Sequence, residues 1–306
     1  MNIGIIANSA SMFPLIYQLA ANRLQVEVFY SLSHDQNVNQ RVMGFLSHVK
    51  IPYTEEKNVN VDVYKWLDNH HFDACFILGY GHLLNTDKLG SLLPIIFNIH
   101  FGLLPDYRGP SPVFWQLKKG VEHLGVSIHQ LSPKFDDGPV IWNKEIQNKD
   151  YFNCETANQY LSNVCIEGVF FILNLLANHI PVVGKKMNSQ HQAYYHKPIL
   201  NDIFIQWDKM GAKEICDLVR ACNPWNRGAI TCLNGHEIKL LDAIISINKP
   251  KDEAVAGEIV GDNELLTIRT CDNLNINVNM IFYSDSYVPS YNCRYYGIVK
   301  GIIIGK

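Results

Sequence analysis

The chain has 306 residues, 47% of them hydrophobic, and a formal net charge of −3 at pH 7; that is enough apolar material for two domains, with no basic excess of the kind that nucleic acid or an anionic membrane selects. Its eight cysteines are scattered with no C-x-x-C pair, which excludes a disulfide framework and a zinc site and reads as reduced core thiols of a cytoplasmic protein. The N-terminal MNIGIIANSA has no basic region, and no stretch of the chain approaches about eighteen uninterrupted apolar residues, so neither a signal peptide nor a membrane span is expected.

The first half alternates strand and helix. Ile3–Ala7 is a short apolar run suited to a strand buried on both faces, and Phe13, Ile16, Leu19 and Ala20 follow at helical spacing. Val26–Tyr30 reads as strand, Val38, Val42, Phe45 and Val49 as an amphipathic helix, and Val63, Trp66 and Leu67 as another. Ala74–Leu78, Pro94–Ile99 and Gly125–Gln130 are further buried strands, and Asp136-Asp137-Gly138-Pro139 is a turn leading into one more apolar run. A long helix then carries Ala157, Leu161, Val164, Cys165, Gly168, Ile172, Leu175 and Leu176 on one face. Strands alternating with helices predict a mostly parallel α/β sheet.

The texture changes near residue 205. One helix (Ala212, Ile215, Leu218, Val219) precedes short β segments at Ala229–Leu233, Glu237–Ala243, Glu258–Val260, Leu265–Thr270 and Asn275–Ile281, joined by turn pairs such as Asn234-Gly235. These predict a small OB-like β-barrel domain. The expected division is residues 1–185, a polar linker over 186–204 containing QHQAYYHKP, and residues 205–306.

The stretch with most to say about chemistry is FNIHFGLLPDYRG, Phe97–Gly109. In open α/β sheets ligands bind beyond the carboxyl ends of the strands, and Asn98 and His100 stand at such an end. Two residues apart on a strand, they share a face. A lone histidine there would be an ordinary hydrogen-bonded core residue. Asp136 changes that, since a carboxylate beside the ring would orient it and favour its charged form. Together, an amide donor, a proton carrier and a carboxylate can stabilise an oxyanion and move protons, as acyl transfer to an amine requires.

The ordered set N-I-H, L-L-P-x-Y-R-G, P-x-x-W and D-x-G-P resembles the 10-formyltetrahydrofolate-dependent formyltransferases. The likeness extends through Gly79–Leu84 (GYGHLL), Glu155–Ala157 (ETA), Ile205–Asp208 (IQWD) and Asn223–Trp225 (NPW), nearly the whole chain. The resemblance implies a Rossmann-like formyltransferase domain followed by the OB-like domain of the longer members. It implies Asn98, His100 and Asp136 as catalytic residues, and 10-formyltetrahydrofolate as the donor, held by Tyr80, His82, Leu83, Leu84, Ser132 and Phe135, largely through backbone groups and with no metal. Two departures stand out. Gly102 occupies the position where many members have serine, with Phe101 adding bulk before it; and the first turn, Asn8-Ser9-Ala10-Ser11, has no G-x-G-x-x-G, against dinucleotide binding.

The acceptor is less determined. From Asp208 onward the chain has 11 Lys and Arg against 12 Asp and Glu, whereas tRNA affinity rests on phosphate contacts. A small amine, above all an amino sugar on a nucleotide, is therefore the expected acceptor, with methionyl-tRNA as the alternative and a homodimer left open. A formyltetrahydrofolate hydrolase using the same three residues is disfavoured because those of the family carry an N-terminal regulatory domain, and a silent binding protein is disfavoured by the complete set. Tyr194, Tyr195, Trp207, Trp225 and Tyr291 read as core aromatics rather than stacking surfaces.

Overall fold

In a computed structural model, residues 1–187, 193–248 and 253–305 are described. They form two compact units: Met1–Pro112 with Leu124–Ile146 and Asn158–His196, and Val113–His123 with Gln147–Ala157 and Lys197–Lys306. The expected linker over 186–204 includes residues 188–192, outside the described residues.

The first unit is built on a seven-stranded sheet in the order β3-β2-β1-β4-β5-β6-β7. Its strands are β1 (Asn2–Ala7), β2 (Gln25–Tyr30), β3 (Tyr53–Glu55), β4 (Ala74–Leu78), β5 (Ile96–His100), β6 (His123–Gln130) and β7 (Val140–Gln147). β1 pairs in parallel with β2 and β4, β2 with β3, and β4 with β5. β6 runs antiparallel to β5, with Asn98 opposite His129 and His100 opposite Ser127. The central strands form because they are apolar throughout: every residue of β4 is buried, as is every residue of β1 after Asn2. This is the mostly parallel α/β sheet expected from the alternation.

Helices α1 (Phe13–Ala21), α2 (Gln36–His48) and α3 (Asp62–Asn69) lie in the connections. Asp35 caps α2 by accepting from the Asn37 N–H at 2.8 Å. α3 buries Val63, Trp66 and Leu67, the face read from the sequence. Strands β3 and β7 and the helix α4 (Pro112–Lys118) were not anticipated. β3 has only three residues, all half-buried, and β7 is an edge strand whose exposed Asn143, Lys144 and Glu145 obscure its period.

The 24-residue helix α5 (Cys154–Ala177) is long and apolar enough to cross a bilayer by length and composition. Its sequence instead serves packing. Ala157, Leu161, Cys165, Val169 and Ile172 are fully buried, and a Cβ at Gly168 would lie 2.3 Å from the Trp142 ring and 2.7 Å from Ile128 Cδ1. The absent side chain is what lets the helix approach β6 and β7.

The second unit contains α4, α6 (Leu200–Ile203), α7 (Ala212–Cys222) and an antiparallel sheet. The strands β8 (Ala229–Leu233), β9 (His236–Ile245), β10 (Ile259–Gly261), β11 (Leu266–Arg269) and β12 (Asn275–Tyr283) run in the order β10-β11-β12-β9-β8, with β13 (Ser286–Pro289) on β12. Asn234 and Gly235, both at positive φ (49° and 78°), make the tight β8–β9 hairpin turn. Segments 113–123 and 147–157 belong here for identifiable reasons. Val113, Phe114, Trp115 and Leu117 are buried, Phe114 meets Trp225 edge-on at 5.8 Å, and Arg220 Nη1 donates to Asn148 Oδ1 at 2.8 Å and to the carbonyls of Lys149 and Phe152.

Two side-chain expectations need correction. Among the aromatics read as core, Trp207 is buried, but Tyr194, Trp225 and Tyr291 are exposed, because they sit on loops and helix ends rather than on apolar faces. Cys271 is exposed and Cys154, Cys216 and Cys232 only half-buried; Cys75, Cys165, Cys222 and Cys293 are buried.

Gly168→Val should lower the unfolding free energy by about 1–3 kcal/mol, since the Trp142 ring blocks the new side chain and overpacking outweighs the gain in helix propensity. Urea unfolding checks this; an unchanged midpoint would show that α5 has slack the geometry denies.

Candidate active site

β5 ends at His100, and the loop that follows folds back over the strand end. Ser127 Oγ on β6 donates to the Gly102 carbonyl at 2.8 Å and accepts from the Leu104 N–H at 3.1 Å. The N–H groups of Asp106 and Tyr107 both reach the Leu103 carbonyl, at 3.0 and 3.3 Å, closing the turn. This places Gly109 N–H 2.9 Å from Asp136 Oδ2. Gly109 is required there: its φ is +114°, and a Cβ would fall 2.0 Å from the Tyr195 carbonyl oxygen. The neighbouring Arg108 donates from Nη2 to the Phe135 carbonyl at 2.7 Å and pairs from Nη1 with Asp137 at 3.1 Å. The 107–109 and 135–137 loops are thereby tied together, and Asp136, in the left-handed region at φ +50°, is turned toward the end of β5.

Asp136, His100 and Asn98 converge. Asp136 Oδ1 lies 3.3 Å from His100 Nδ1 and accepts from Asn98 Nδ2 at 3.3 Å. Asn98 Nδ2 also lies 3.0 Å from His129 Nε2, whose own Nδ1 is 2.7 Å from the Gln130 carbonyl. A carbonyl only accepts, so His129 donates from Nδ1, leaving Nε2 to accept from Asn98. The same logic applies to His100: Nε2 lies 2.5 Å from the Tyr107 carbonyl and must donate to it.

The charges follow from these contacts. Burial alone would push the Asp136 carboxyl up, but His100, the His129 ring and the Gly109 N–H outweigh it and hold the group down at about 2. For His100 the balance goes the other way. Burial pushes the ring below the usual imidazole range, against the opposing pull of Asp136 and the Tyr107 carbonyl. Asp136 does favour the cation, as read from the sequence, yet desolvation wins and the ring is neutral near pH 7. Its Nδ1 lone pair is then a base beside a carboxylate able to stabilise the cation formed there.

These residues form one wall of a cavity of about 440 Å³. The loop after β4, with Tyr80, His82, Leu83 and Leu84, lines the same cavity, as do Ser132 and Phe135. Every catalytic and folate-binding candidate read from the sequence therefore lines one cavity. Tyr80 is fixed by donating to Glu56 at 2.6 Å, Glu56 also accepts from Ser31 at 2.7 Å, and burial raises the Tyr80 phenol. Leu83 and Phe135 are exposed at the rim. Apolar side chains around free loop backbone suit a flat, hydrogen-bonding ring such as a pterin. Ser132 differs from the simplest expectation in that its hydroxyl donates to the Lys134 carbonyl within its own turn.

The sequence reading missed His129, Arg108, Tyr107 and Glu56, together with Ser9, Ser11, Asn158 and Tyr194 on the cavity wall. The Tyr107-Arg108-Gly109 triplet was conspicuous, but its partners lie across a fold-dependent loop contact. His129 becomes significant only once β6 is known to pair with β5 in this register.

Acid sensitivity tests the electrostatics. A histidine whose folded pKa lies below 6.5 costs stability as pH falls through that value, and a carboxyl lowered from 3.8 to about 2 loses its contribution as pH falls between them. Urea unfolding should show both declines in the wild type. Asp136→Asn should lack the second, worth roughly 2 kcal/mol. Parallel curves for the two proteins between about pH 4 and 2 would contradict the assignment.

Known proteins of the same kind carry this architecture. The formyl transferase family matches residues 5–163 and the formyl transferase C-terminal domain matches residues 200–281. The bifunctional polymyxin resistance protein ArnA of Wigglesworthia glossinidia brevipalpis is 28% identical over 288 residues, which is 86% of this chain and 40% of that protein. A methionyl-tRNA formyltransferase of Fervidobacterium nodosum is 25% identical over 71% of this chain and 70% of its own length. The structure of an N-formyltransferase from Helicobacter canadensis, in complex with folinic acid and dTDP-3-aminofucose, superposes with a TM-score of 0.67 at 16% identity, covering 90% of this chain and 98% of the other. The fold, the cavity and the extent of these matches lead to one conclusion: the chain belongs to the formyl transferase family.

Proposed function

We propose that this chain transfers the formyl group of 10-formyltetrahydrofolate to the primary amine of a small acceptor, with an amino sugar carried on a nucleotide as the acceptor class. The observation that carries the reading is the convergence of Asn98, His100 and Asp136, through contacts of 3.3 Å, in a cavity also lined by the Tyr80–Leu84 loop.

The reduced folate supplies a formyl group on nitrogen, an amide-like carbon that an amine attacks only with help. Tyr80, His82, Leu83, Leu84 and Phe135 hold the ring system. Asn98 donates from Nδ2 to the oxygen as negative charge develops on it; its 3.3 Å bond to Asp136 is the longer of its two and the one to be redirected. His100, neutral, takes the proton of the attacking amine on Nδ1 and passes it to the departing nitrogen, a poor leaving group until protonated. Asp136 stays ionised and stabilises the imidazolium in between.

The charge balance after Asp208 supports a small acceptor over tRNA, and the Helicobacter canadensis relative was crystallised with a nucleotide-linked amino sugar. A second reading, formylation of methionyl-tRNA, draws on sequence relatives that carry that name. The two part in one experiment, turnover of a dTDP-linked amino sugar against initiator methionyl-tRNA with the same donor. The sugar should turn over. Submicromolar tRNA binding at physiological salt, with formylation, would replace the first reading by the second, and formate release without any amine would favour the hydrolase.

Calorimetry with 5-formyltetrahydrofolate, a stable mimic of the donor, should show binding that survives Asn98→Ala and His100→Asn. Asn98→Ala should lower turnover by about 10²–10³, the usual loss for an oxyanion donor. His100→Asn should lose more than about tenfold, equivalent to roughly 1.4 kcal/mol. Retention of near-normal turnover by His100→Asn would remove the histidine from the mechanism.

A further inference from the structure

Two substrates must meet at the end of β5, and the cavity wall presents two exposed rings. Of the Phe and Tyr side chains that line it among the described residues, Tyr80 and Phe101 are buried, whereas Phe135 and Tyr194 are exposed, Tyr194 to 54%. Phe135 falls to the folate in the reading above; Tyr194 has no task in it. We propose that Tyr194 is the platform for the acceptor: its ring stacks on the pyranose ring of the amino sugar and so fixes the angle at which the amine meets the formyl carbon. This rests on a nucleotide-linked amino sugar being the acceptor.

The backbone that carries Tyr194 is held beside the catalytic carboxylate. Tyr194 forms a parallel bridge with Arg108: the Arg108 N–H donates to the Ala193 carbonyl at 3.2 Å, and the Tyr195 N–H donates to the Arg108 carbonyl at 2.8 Å. Arg108 Nη2 holds the Phe135 carbonyl at 2.7 Å, and the next residue, Gly109, donates to Asp136 Oδ2 at 2.9 Å. One arginine therefore fixes the backbones that bear both exposed rings. The neighbouring Tyr195 stacks on Tyr107, with centroids 5.6 Å apart and planes 14° from parallel. Successive residues of an extended segment point to opposite sides. Tyr195 thus locks the segment by packing, and Tyr194 is turned to the cavity, where its side chain has no hydrogen bond, ion pair or ring contact among the described residues. A ring on a backbone already fixed costs less to order when a ligand arrives.

The chemistry of the acceptor selects which part of it the ring meets. In an amino sugar the amine is bonded directly to a ring carbon, so the pyranose stands at Asn98, His100 and Asp136 together with its nitrogen. The base lies beyond two phosphates. A flat aromatic face suits the C–H face of a pyranose, and the phenol at its edge can bond a ring hydroxyl, an apolar surface with one polar handle. Methionyl-tRNA would instead bring a flexible thioether side chain beside its amine, a poor match for a fixed ring.

The test is steady-state kinetics with 10-formyltetrahydrofolate and a dTDP-linked amino sugar. Tyr194→Ala should raise the KM for the sugar nucleotide about tenfold, the loss of one stacked ring. Tyr194→Leu, which keeps apolar bulk without a flat face, should behave like the alanine variant, and Tyr194→Phe should stay within about threefold of wild type. Calorimetry with 5-formyltetrahydrofolate and inhibition by dTDP alone should both stay within about twofold in all three, and the urea midpoint should not move, because the side chain is exposed. A wild-type KM in Tyr194→Ala overturns the proposal, as does a loss confined to folate binding. A loss of dTDP inhibition equal to the loss for the sugar nucleotide would put the ring under the base and overturns it too. Failure of the underlying reading looks different: the wild type itself would turn over no nucleotide-linked amino sugar, which removes the acceptor and its platform together.

Discussion

The structure of the site depends on one buried carboxylate. Asp136 is 9% exposed, and a charge removed from water to that extent is tolerated only where donors replace the lost hydration. Here its partners come from three separate places in the chain. Gly109 donates a backbone N–H from the loop after β5 and Asn98 an amide N–H from within the strand, and the His100 and His129 rings stand 3.3 and 3.6 Å away on β5 and β6, each able to pair with the carboxylate once protonated. Each of these groups is where it is because something else is in order: the strand pairing, the pinned turn at Gly102–Leu104, the Arg108 clasp on Phe135 and Asp137.

The sheet explains why this can occur at the end of β5 and not elsewhere. Up to β5 the strands are parallel, and their carboxyl ends form a common edge beyond which loops gather. At β6 the direction reverses, so that Ser127 and His129 lie directly across from His100 and Asn98. A parallel neighbour would have delivered its loop to this edge; the antiparallel one delivers side chains in register. The serine pins the returning loop and the histidine holds the amide, two tasks that need fixed distances and that a mobile loop would perform poorly.

Much of this was legible in the sequence. The apolar runs Ile3–Ala7 and Ala74–Leu78 and the helical spacing of Val63, Trp66 and Leu67 were readable because burial on a known number of faces leaves a known period. Asn98, His100 and Asp136 stood out because polar groups of complementary chemistry interrupt otherwise apolar strands and a tight turn. What escaped reading was pairwise. His129 sits in an apolar strand just as His100 does, and only the β5–β6 register gives it a partner. β3 was too short and β7 too exposed on one side to show a period. Segments 113–123 and 147–157 lie between elements of the first unit in sequence, yet their contacts, Phe114 to Trp225 and Arg220 to Asn148, are with residues about a hundred and about seventy positions away; nothing local announces such a distance.

The bond lengths divide the site's work in a consistent way. His100 has a 2.5 Å bond to the Tyr107 carbonyl and a 3.3 Å contact with Asp136. Asn98 has a 3.0 Å bond to His129 and a 3.3 Å bond to Asp136. Asp136 itself accepts at 2.9 Å from Gly109 and at 3.3 Å from Asn98. Each of the three groups thus has one short bond to a partner outside the set and longer ones within it. The short bonds fix position, and their donors and acceptors are largely backbone groups that no protonation change can remove. The longer ones, the stretched Asn98 bond to the carboxylate and the His100 Nδ1 contact with it, are those a reacting carbonyl oxygen or amine proton would have to displace. An arrangement with the lengths reversed would hold the three side chains tightly to one another and leave each free to swing as a body. The observed one holds each to the scaffold and leaves the contacts among them to yield as charge develops, the condition under which a preorganised site stabilises a transition state without reorganising first.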